Sequence, residues 1–353
     1  MSTVLVTGGA GYIGSHAVKA LAQAGYDVVV YDDLSAGHRA AVSAITRALP
    51  GSAITLVEGD IADRQRVTDT LRTSGASAVM HFAAKLSVAE SVTAPFAYYA
   101  TNVSGTLNVL ASMAECNVRA FVFSSTAATF GEPLVTPDAP DGGFLIDETH
   151  PQRPINAYGE SKLAVERALP HLERAHGIRS IALRYFNAAG ADPDGWIGED
   201  HWPEEHLIPR ALAAASGGPA LTVFGTDYPT PDGTCVRDFV HVTDLAQAHI
   251  LALQHLESGG ASASYNLGNG QGISVRELIA SVERVTGSRV SYTTGPRRAG
   301  DPAELVASSA RIMRQLQWQP RLAAIDDIVA TAWRWHQSHP RGYGDRAPGR
   351  TDA

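Results

Sequence analysis

The chain has 353 residues, of which 44% are hydrophobic and 18% charged, a composition typical of a folded protein with a large core. Its 28 basic and 36 acidic residues give a net charge of −8, which argues against a nucleic-acid-binding surface. No apolar run approaches the about 20 residues that a membrane-spanning helix needs, and the first residues lack the pattern of a secretory signal. We therefore expect a cytoplasmic protein with neither nucleic acid nor membrane as a partner.

The first half of the chain alternates short apolar runs with longer segments of helical periodicity. Strands are predicted at 3–6, 28–31, 54–57, 78–81, 120–123 and 180–183, and helices at 13–24, 64–74, 95–116 and 158–176. Nearly continuous apolar strands separated by helices are typical of a parallel sheet covered on both faces. The sequence therefore predicts an α/β fold, a Rossmann-type doubly wound parallel sheet with its ligand crevice at the carboxyl ends of the strands.

After residue 186 the chain changes to loops rich in Gly, Pro, Asp and Trp, followed by shorter elements. A helix is predicted at 207–216, a strand at 221–224, a strand and helix across 239–254, and a helix at 275–286. We predict a nucleotide-binding domain over 1–186 and a smaller, mixed α+β substrate domain over 187–345. The segment 238–256 is expected to pack back on the first domain, and residues 346–353 are expected to form a frayed tail.

A glycine-rich turn opens the chain between the first predicted strand and the first predicted helix. Gly8, Gly11 and Gly14 are spaced G-x-x-G-x-x-G, which lets the backbone approach a pyrophosphate at a helix N-terminus. Asp32 follows Gly14 by 18 residues, where a carboxylate binds both ribose hydroxyls and repels a 2′-phosphate, so NAD is favoured over NADP. Five further residues follow the next two strands and are expected to line the cofactor, although ordinary strand-end turns look the same: Asp60, Ile61, Phe82, Ala83 and Ala84.

Tyr158 and Lys162 form a Y-x-x-x-K pair at the start of a predicted helix, so both side chains share one face. An ammonium close to a phenol lowers the phenol pKa from about 10, which suits a general base. Thr126, in FSSTAATFG after the fifth strand, offers a hydroxyl where a substrate would meet the tyrosine. Tyr and Lys four residues apart occur in many helices, but behind a glycine turn they predict a catalytic site.

The segments GGAGYIGSH, Y-x-x-x-K and FSST resemble the extended short-chain dehydrogenase/reductase family. Further segments resemble the branch of that family that epimerises UDP-sugars: VEGDI, LRYFNAAGA, DYPTPDGTCVRDFVHV, YNLG, PRRAGDPAEL and HQSHPRGY. The resemblance runs from residue 3 to residue 343, nearly the whole chain. It implies reversible epimerisation of UDP-galactose and UDP-glucose at C4 through a 4-keto sugar, with a tightly bound NAD that is transiently reduced.

The same resemblance implies roles for the catalytic residues. Tyr158 would take the proton of the sugar 4-hydroxyl, Lys162 would hold the nicotinamide ribose, and Thr126 would bridge the 4-oxygen and the tyrosine. Dehydratase relatives carry an Asp-Glu pair directly after this threonine, whereas Ala127 and Ala128 follow it here. The missing acids favour epimerisation over elimination of water.

The resemblance also implies a set of ligand contacts. Further cofactor contacts are expected at Tyr12, Ile13, Asp33, Leu34, Ser35, Gly37, Lys85, Thr101, Ser124, Tyr185 and Phe186. UDP-sugar contacts are expected at Asn187, His206, Leu207, Val223, Phe224, Arg237, Arg298 and Asp301, where arginine forks suit a diphosphate and a carboxylate suits a vicinal diol. Four positions depart from the family pattern: Lys85 stands one place early, Thr101 replaces an Asn, Phe130 replaces a Tyr, and His206 stands where many members have Asn.

Several alternatives stay open at this point. Leu305 occupies a gate position that is bulky when only UDP-glucose and UDP-galactose are accepted and small when N-acetylated sugars enter, so UDP-GlcNAc, UDP-GalNAc or a UDP-pentose remain possible substrates. A non-catalytic NAD-sensing regulator is the remote alternative, and the intact catalytic residues speak against it. The family is commonly dimeric, which implies a homodimer through helices 95–116 and 158–176. No metal is expected, because the 13 histidines lack H-x-x-x-H and Cys–His spacings.

Overall fold

The computed structural model of the chain describes residues 2–133, 145–298 and 301–345; the predicted frayed tail at 346–353, and residues 299 and 300 of the PRRAGD motif, lie outside the described residues. The strands in the described ranges are β1 (Thr3–Thr7), β2 (Asp27–Asp32), β3 (Ile54–Glu58), β4 (Ala78–His81), β5 (Ala120–Thr126), β6 (Arg179–Tyr185), β7 (Asn187–Ala189), β8 (Leu221–Phe224), β9 (Val236–His241), β10 (Ala263–Leu267), β11 (Gly272–Ser274), β12 (Tyr292–Gly295), β13 (Glu304–Leu305) and β14 (Pro340–Tyr343). The α-helices there are α1 (Tyr12–Gln23), α2 (Arg39–Ala48), α3 (Arg64–Ser74), α4 (Val88–Thr93), α5 (Pro95–Tyr98), α6 (Thr106–Glu115), α7 (Ala157–His176), α8 (Leu207–Ala215), α9 (Val242–Glu257), α10 (Val275–Thr286), α11 (Ala310–Leu316) and α12 (Ile325–Ser338).

Seven parallel strands form the main sheet, in the order β10-β6-β5-β4-β1-β2-β3. The chain runs outward from β1 to β3 on one side and from β4 to β6 on the other, so the strand order reverses between β1 and β4. The predicted doubly wound Rossmann-type sheet is confirmed. In such a sheet the ligand crevice lies where the order reverses, outside the carboxyl ends of β1 and β4.

Helices cover both faces of this sheet, because alternate residues of each strand point to opposite sides. Val4 and Val6 of β1 pack in one hydrophobic core with residues of α1 and α9, such as Leu21 and Leu253. Leu5 belongs to the opposite core, which contains residues of α3, α6 and α7. Burial on both faces explains why the strands read as continuous apolar runs in the sequence.

Several elements differ from the sequence-based expectation. Helix α2 was not predicted, although its buried residues, Ala41, Val42 and Ile45, lie on one face of the helix. The single helix expected at 95–116 consists of α5, a π-helical stretch at Tyr99–Gly105, and α6. Strand β10, the seventh strand of the main sheet, was also not predicted.

The second half of the chain builds two smaller sheets around a third hydrophobic core. Strand β9 lies between β11 and β13 and also pairs with β7, while β12 pairs with β8. Helices α8, α10 and α12 contribute Leu212, Leu278 and Ile328 to this core. Asp238, buried in β9, accepts the N–H groups of Asn269, Gly270 and Ala307, and these bonds connect β9 to the segments that follow β10 and β13.

The two halves share the main sheet. Helix α9 packs against α1 and against β5 and β6, and β10 pairs in parallel with β6 at the edge of the sheet. Division of the chain after residue 186 therefore assigns six strands of the main sheet to the first half and β10 to the second, and the exact domain boundaries stay a prediction.

Among the described residues, no helix combines the length and apolar character needed to cross a bilayer. Both cysteines, Cys116 and Cys235, are free thiols.

Four histidines are buried inside the protein and held neutral near pH 7. His81 is hydrogen-bonded to Thr7 at 2.7 Å and to Thr106 at 2.8 Å. Burial lowers the pKa of His16 and His249 to about 4, and that of His81 and His241 to about 3. An unfolded chain exposes the same side chains to water, where the usual histidine pKa is about 6.5.

We predict that the free energy of unfolding falls as the pH is lowered from neutrality toward 5. The four histidines take up protons in the unfolded chain near pH 6.5 but resist protonation in the folded chain, so protons favour unfolding in this window, each by ~1.4 kcal/mol per pH unit. Burial raises the pKa of Asp238 to about 6. The folded chain therefore takes up one proton on Asp238 in the same window, which offsets part of the loss of stability. Urea titrations at about pH 7 and about pH 5.5 should differ by at least ~2 kcal/mol, and equal stability would contradict the prediction.

Candidate active site

The glycine turn between β1 and α1 is built on close main-chain contacts. Gly8 has φ +69°, and a Cβ on it would lie 2.7 Å from the carbonyl carbon of Phe82 after β4. A Cβ on Gly14, in the first turn of α1, would overlap the carbonyl oxygen of Gly8. Gly11 precedes the helix and no side chain caps its N-terminus. The first N–H groups of α1 are therefore left for an anion, as a dinucleotide pyrophosphate requires.

Asp32, the last residue of β2, holds its carboxylate beside this turn. Its Oδ2 accepts the N–H of Ala10 at 2.9 Å, and its Oδ1 accepts the N–H of Leu34 at 2.9 Å. Burial raises the pKa of Asp32, and the two N–H donors oppose that rise. Each oxygen keeps a further lone pair with which to accept a ribose hydroxyl. Gly37 gives the carboxylate room, since a Cβ there would lie 2.8 Å from Oδ1.

The other residues predicted near the adenosine half of the cofactor follow the carboxyl ends of successive strands. Tyr12 and Ile13 begin α1, Asp33, Leu34, Ser35 and Gly37 follow β2, Asp60 and Ile61 follow β3, and Phe82, Ala83 and Ala84 follow β4. Asp33 accepts the N–H and the hydroxyl of Ser35 at 2.9 and 2.7 Å, so this exposed carboxylate shapes its own loop. Asp60 similarly accepts the N–H of Ala62 at 2.8 Å. All of these residues lie at one edge of the sheet.

The predicted catalytic residues meet where β5 ends and α7 begins. Thr126 is the last residue of β5, and the side chain of Asn156 caps α7 by accepting the N–H of Gly159 at 2.8 Å. The Thr126 hydroxyl lies near enough to the Tyr158 phenol to lower its pKa. Lys162 Nζ donates to the main-chain oxygen of Ser124 at 2.8 Å. The structure thus brings the three side chains together from two elements that are 32 positions apart in sequence, counted from Thr126 to Tyr158.

Burial controls the protonation of the Tyr158–Lys162 pair. It raises the pKa of Tyr158, and the hydrogen bond with Thr126 offsets part of the rise. It lowers the pKa of Lys162 to about 7, against the attraction of Glu166. The lowering of the tyrosine pKa expected from Lys162 is therefore not provided by the chain alone, because burial also disfavours the charged form of the lysine. A cationic group bound beside Tyr158 would favour the phenolate.

Glu166 continues the Tyr158–Lys162 face of α7 by one further turn and was not predicted from the sequence. Its carboxylate accepts Arg184 Nε at 3.0 Å and Nη2 at 2.6 Å, and the Ser125 hydroxyl also donates to it. The side chains of Glu166 and Arg184 are both buried. These bonds fasten α7 to β5 and β6 directly behind the reactive pair. The signal that could have found Glu166 is the extension of Y-x-x-x-K to Y-x-x-x-K-x-x-x-E.

The loop after β4 is held by contacts with Glu90 and Asn102. Lys85 extends its Nζ to within 3.3 Å of Glu90 at the surface. Its main-chain N–H and C=O are bonded to the Asn102 side chain at 2.8 and 3.1 Å, and Asn102 also donates to Ser161 on α7 at 3.0 Å. Asn102 lies next to Thr101 in the π-helical stretch, a type of distortion often found at functional sites. Thr101 was predicted as a site residue and Asn102 was not, although Asn102 is the residue that links this loop to α7.

Residues from the second half form a cationic group near the predicted uridine side. Arg237 on β9 is paired with Asp301, and its Nη1 donates to the carbonyl of Val236 at 2.7 Å. The Arg298 guanidinium lies 4.0 Å over the ring of Phe224. Val223, next to Phe224, is buried in the third core. Four of the predicted substrate residues therefore form two neighbouring pairs, because the main-chain N–H of Asp301 donates to the oxygen of Arg298 at 3.3 Å.

Two of the remaining predicted substrate residues, Asn187 and His206, are hydrogen-bonded to other residues of the protein. Asn187 Nδ2 donates to the carbonyl of Asp238 at 2.9 Å. Leu207 begins α8, and His206 precedes it as the N-cap residue without capping the helix through its side chain. The ring of His206 is hydrogen-bonded to Glu199.

A small apolar cluster lies between the catalytic segment and the second half. Ala127, Phe130 and Ile146 are buried there, with Phe186 and the gate residue Leu305 packed against them. Leu305 pairs in register with Arg237 across β13 and β9. The gate residue therefore contacts the segment that follows Thr126 and is adjacent to the arginine of the predicted diphosphate site. Tyr185, predicted to contact the cofactor, is buried, and its hydroxyl bonds to His249 at 2.7 Å.

A nucleotide cradle and a buried Tyr–Lys pair at one edge of a doubly wound sheet are the arrangement of a nicotinamide-dependent enzyme. The sequence profile of the NAD dependent epimerase/dehydratase family matches residues 4–268, and the chain belongs to this family.

The names of individual relatives are more specific than that of the family. The UDP-glucose 4-epimerase of Lacticaseibacillus casei is 47% identical over 345 residues, which cover 98% of this chain and 99% of the relative. The structure of UDP-glucose 4-epimerase from Brucella ovis in complex with NAD is 46% identical, with a TM-score of 0.87 and coverage of 94% of this chain and 98% of that one. The structure of UDP-glucose-4-epimerase from Stenotrophomonas maltophila with bound NAD and formylated UDP-arabinopyranose is 40% identical, with a TM-score of 0.90 and coverage of 97% and 99%.

We predict that Asp32→Asn weakens the discrimination between NAD and NADP by at least about tenfold, a change of ~1.4 kcal/mol. The amide keeps the size of the side chain and one acceptor oxygen but removes the charge that repels a 2′-phosphate. Cofactor affinities of the apoenzyme, measured by fluorescence titration, provide the test. Asp27→Asn, at the opposite end of β2, is the matched control and should leave the ratio unchanged; an unchanged ratio in Asp32→Asn would assign the selectivity elsewhere.

Proposed function

We propose that this chain catalyses the reversible epimerisation of UDP-galactose and UDP-glucose at C4, through a 4-keto sugar and a tightly bound NAD. The observation that carries the proposal is the contact of Thr126 with Tyr158 beside Lys162 at the end of β5. The residues that follow Thr126 are Ala127 and Ala128, and Ala127 is packed in an apolar cluster. This segment offers groups for moving the 4-hydroxyl proton and no carboxyl group for expelling a hydroxyl as water.

The residues of the site fit NAD, because the glycine turn has no space for side chains and the Asp32 carboxylate retains acceptor capacity. When bound, NAD supplies a reversible acceptor for the hydride of the sugar C4. Tyr158 Oη takes the proton of the 4-hydroxyl in the forward step and returns it after the sugar has turned over. Thr126 holds the 4-oxygen and the phenol in line. Lys162, close to neutral within the chain, can change its proton occupancy near pH 7 and so adjust the charge beside Tyr158.

Binding of the substrate would require the ion pair of Arg237 and Asp301 to open. In the described contacts the two side chains neutralise each other, and Arg298 rests on Phe224. A diphosphate would attract both guanidinium groups, and a ribose diol would replace Arg237 as the partner of Asp301. The Arg237 side chain is thus already largely shielded from water and held by Asp301, which reduces the cost of ordering it on binding.

The direct test incubates the purified protein with UDP-galactose and no added NAD. After heat inactivation and filtration, UDP-glucose is measured with a coupled UDP-glucose dehydrogenase, which receives its own NAD. Conversion would demonstrate both the epimerase activity and a resident cofactor that is recycled. Failure to convert UDP-galactose even with added NAD would contradict the proposal.

We predict that Tyr158→Phe lowers kcat by at least about 100-fold while NAD stays bound. The phenyl ring keeps the packing, but the proton of the 4-hydroxyl loses its acceptor. Turnover of UDP-galactose and the NAD content of the same preparation are the two measurements. Tyr292→Phe, an exposed tyrosine on β12, should retain full turnover, and a Tyr158→Phe variant as active as this control would exclude Tyr158 as the base.

A second candidate activity is epimerisation of UDP-GlcNAc and UDP-GalNAc, or of UDP-pentoses. Leu305 is the observation that favours this second activity. The residue that packs against the segment after Thr126 is a leucine of medium size and not a bulkier aromatic residue. A larger substituent at C2 of the sugar would need additional space, and Leu305 leaves more space than an aromatic residue would. Comparison of kcat/KM for the three substrate classes distinguishes these activities.

We also propose that the protein is a homodimer through the helices α4 to α6 and α7. Val88, Val92, Phe96 and Tyr99 are exposed at intervals of three and four residues, and Phe96 is 90% exposed. Val88 and Val92 share one face of α4, Phe96 and Tyr99 follow on α5 and the π-helical stretch, and α4 and α5 both pack beside α7. Exposed apolar residues grouped in this way are typical of a surface covered by a second copy.

We predict that Phe96→Asp converts the dimer to a monomer. A carboxylate at the centre of an apolar contact would be desolvated without a partner, a cost of several kcal/mol in each subunit. Sedimentation velocity at micromolar concentration measures the change. Met313→Asp, on an exposed residue of α11, is the control and should stay dimeric; a monomeric wild-type chain would contradict the proposal.

A cytoplasmic location is proposed as well. Its support is that both cysteines are free thiols, as in a reducing compartment, and that the proposed activity uses UDP-sugars and NAD.

A further inference from the structure

Four side chains with metal-binding donor atoms meet in the segment before α8. Glu199, His201, Glu204 and His206 each offer one donor atom, and these atoms all lie within 4.8 Å of one another. Both imidazole rings direct Nδ1 toward the same oxygen, Oε1 of Glu199: the His201 atom is 3.2 Å from it, and the His206 atom is hydrogen-bonded to it. The two Nδ1 atoms are 3.8 and 4.0 Å from the oxygens of Glu204.

The cluster concentrates negative charge in a poorly solvated place. The Glu199 side chain is only 7% exposed, and the Glu204 side chain 24%. Two carboxylates this close together need a compensating positive charge. That charge can be a proton on one of the two imidazoles or a cation bound by all four side chains.

We propose that Glu199, His201, Glu204 and His206 form a four-ligand site for a divalent transition-metal ion, with Zn²⁺ the ion best matched. Two imidazole nitrogens and two carboxylate oxygens are the donor types that Zn²⁺ takes in tetrahedral sites. With bonds of about 2.0–2.1 Å, donor atoms in a tetrahedral site are about 3.3 Å apart. The separations of 3.2, 3.8 and 4.0 Å reach that value through side-chain shifts below about 1 Å.

The position of the site indicates a structural role. The ring of His201 lies 6.0 Å from that of Tyr12 in the glycine turn, and His206 immediately precedes α8. Glu205, inside the same segment, accepts the hydroxyl of Ser87 in the loop after β4 at 2.7 Å. A bound ion would therefore hold residues 199–206 between the nucleotide turn and the first helix of the substrate side. Four protein ligands leave no open position for a reacting water, in contrast to a catalytic zinc.

The site also leaves His206 a second function. Ligation through Nδ1 keeps Nε2 of the ring available, and a metal-bound imidazole with a free N–H is an effective donor to an anion. No metal was expected from the sequence, because the chain lacks H-x-x-x-H and Cys–His spacings. The spacing here is E-x-H-x-x-E-x-H, which folds into a cluster through the turn of the chain between residues 201 and 204.

The test uses the full-length chain without a histidine tag, stripped with a chelator and then dialysed. Zn²⁺ is titrated against a metallochromic indicator, bound metal is counted by plasma mass spectrometry, and Tm is recorded with and without Zn²⁺. We expect one Zn²⁺ per chain, a higher Tm in its presence, and the visible absorption of tetrahedral Co²⁺ when cobalt replaces zinc. His206→Gln and His201→Gln should each weaken Zn²⁺ binding at least about 100-fold, since loss of a residue that merely supports a ligand already costs 10–100-fold.

The matched control is His171→Gln, a histidine on the outer surface of α7 that contacts Arg174, and it should bind Zn²⁺ like the wild type. Far fewer than one ion per chain, with an unchanged Tm, would overturn the proposal and leave a protonated His206 as the compensating charge. Stoichiometric binding that survives both His201→Gln and His206→Gln would overturn it too, by placing the ion elsewhere. If His201→Gln does not fold, the metal count and His206→Gln decide. Metal content is read without reference to turnover, so the result is independent of the proposed activity.

Discussion

The architecture of the site depends on one main-chain contact, the approach of the glycine turn to the end of β4. Gly8 lies against Phe82 and Ala83, and Gly14 lies against Gly8, with no space for a Cβ at either position. Strand β1, strand β4 and helix α1 therefore meet without a layer of side chains between them. This contact places the uncapped end of α1 at the crevice where the strand order reverses, and the Asp32 carboxylate is oriented by an N–H of the same turn.

The reactive edge is supported by polar groups that are buried together. Tyr158, Lys162 and Glu166 follow one another on a single face of α7, each one turn apart. Lys162 is bonded to the main chain of β5, and Glu166 to Arg184 of β6. A buried ion pair contributes stability only when its hydrogen-bonding groups are satisfied, and the two-point contact of Arg184 with Glu166 meets most of that requirement. Helix α7, which carries the proposed base, is thus held in position by β6 and by β5, the strand that carries Thr126.

The substrate side is assembled from segments far apart in sequence, and it is electrostatically self-compensating. Arg237 is balanced by Asp301, and the glutamates before α8 are balanced by His206 or by an ion. An anionic ligand held by Arg237 would then replace Asp301 as the partner of this arginine. Leu305, in register with Arg237, joins this charged region to the apolar cluster around Ala127.

The sequence by itself determined the class of fold, the cofactor turn and the Tyr–Lys pair, because each is a local pattern: apolar strands, glycine spacing and one helix face. It did not reveal α2 or β10, since a short or weakly apolar element acquires its stability from the sheet it joins. Only the tertiary structure decided the pairing of Arg237 with Asp301, the support of Lys162 by Glu166, and the cluster at 199–206. It also decided that the Tyr158 pKa rises within the chain alone. Partners and burial are properties of the folded chain, and proton affinities depend on both.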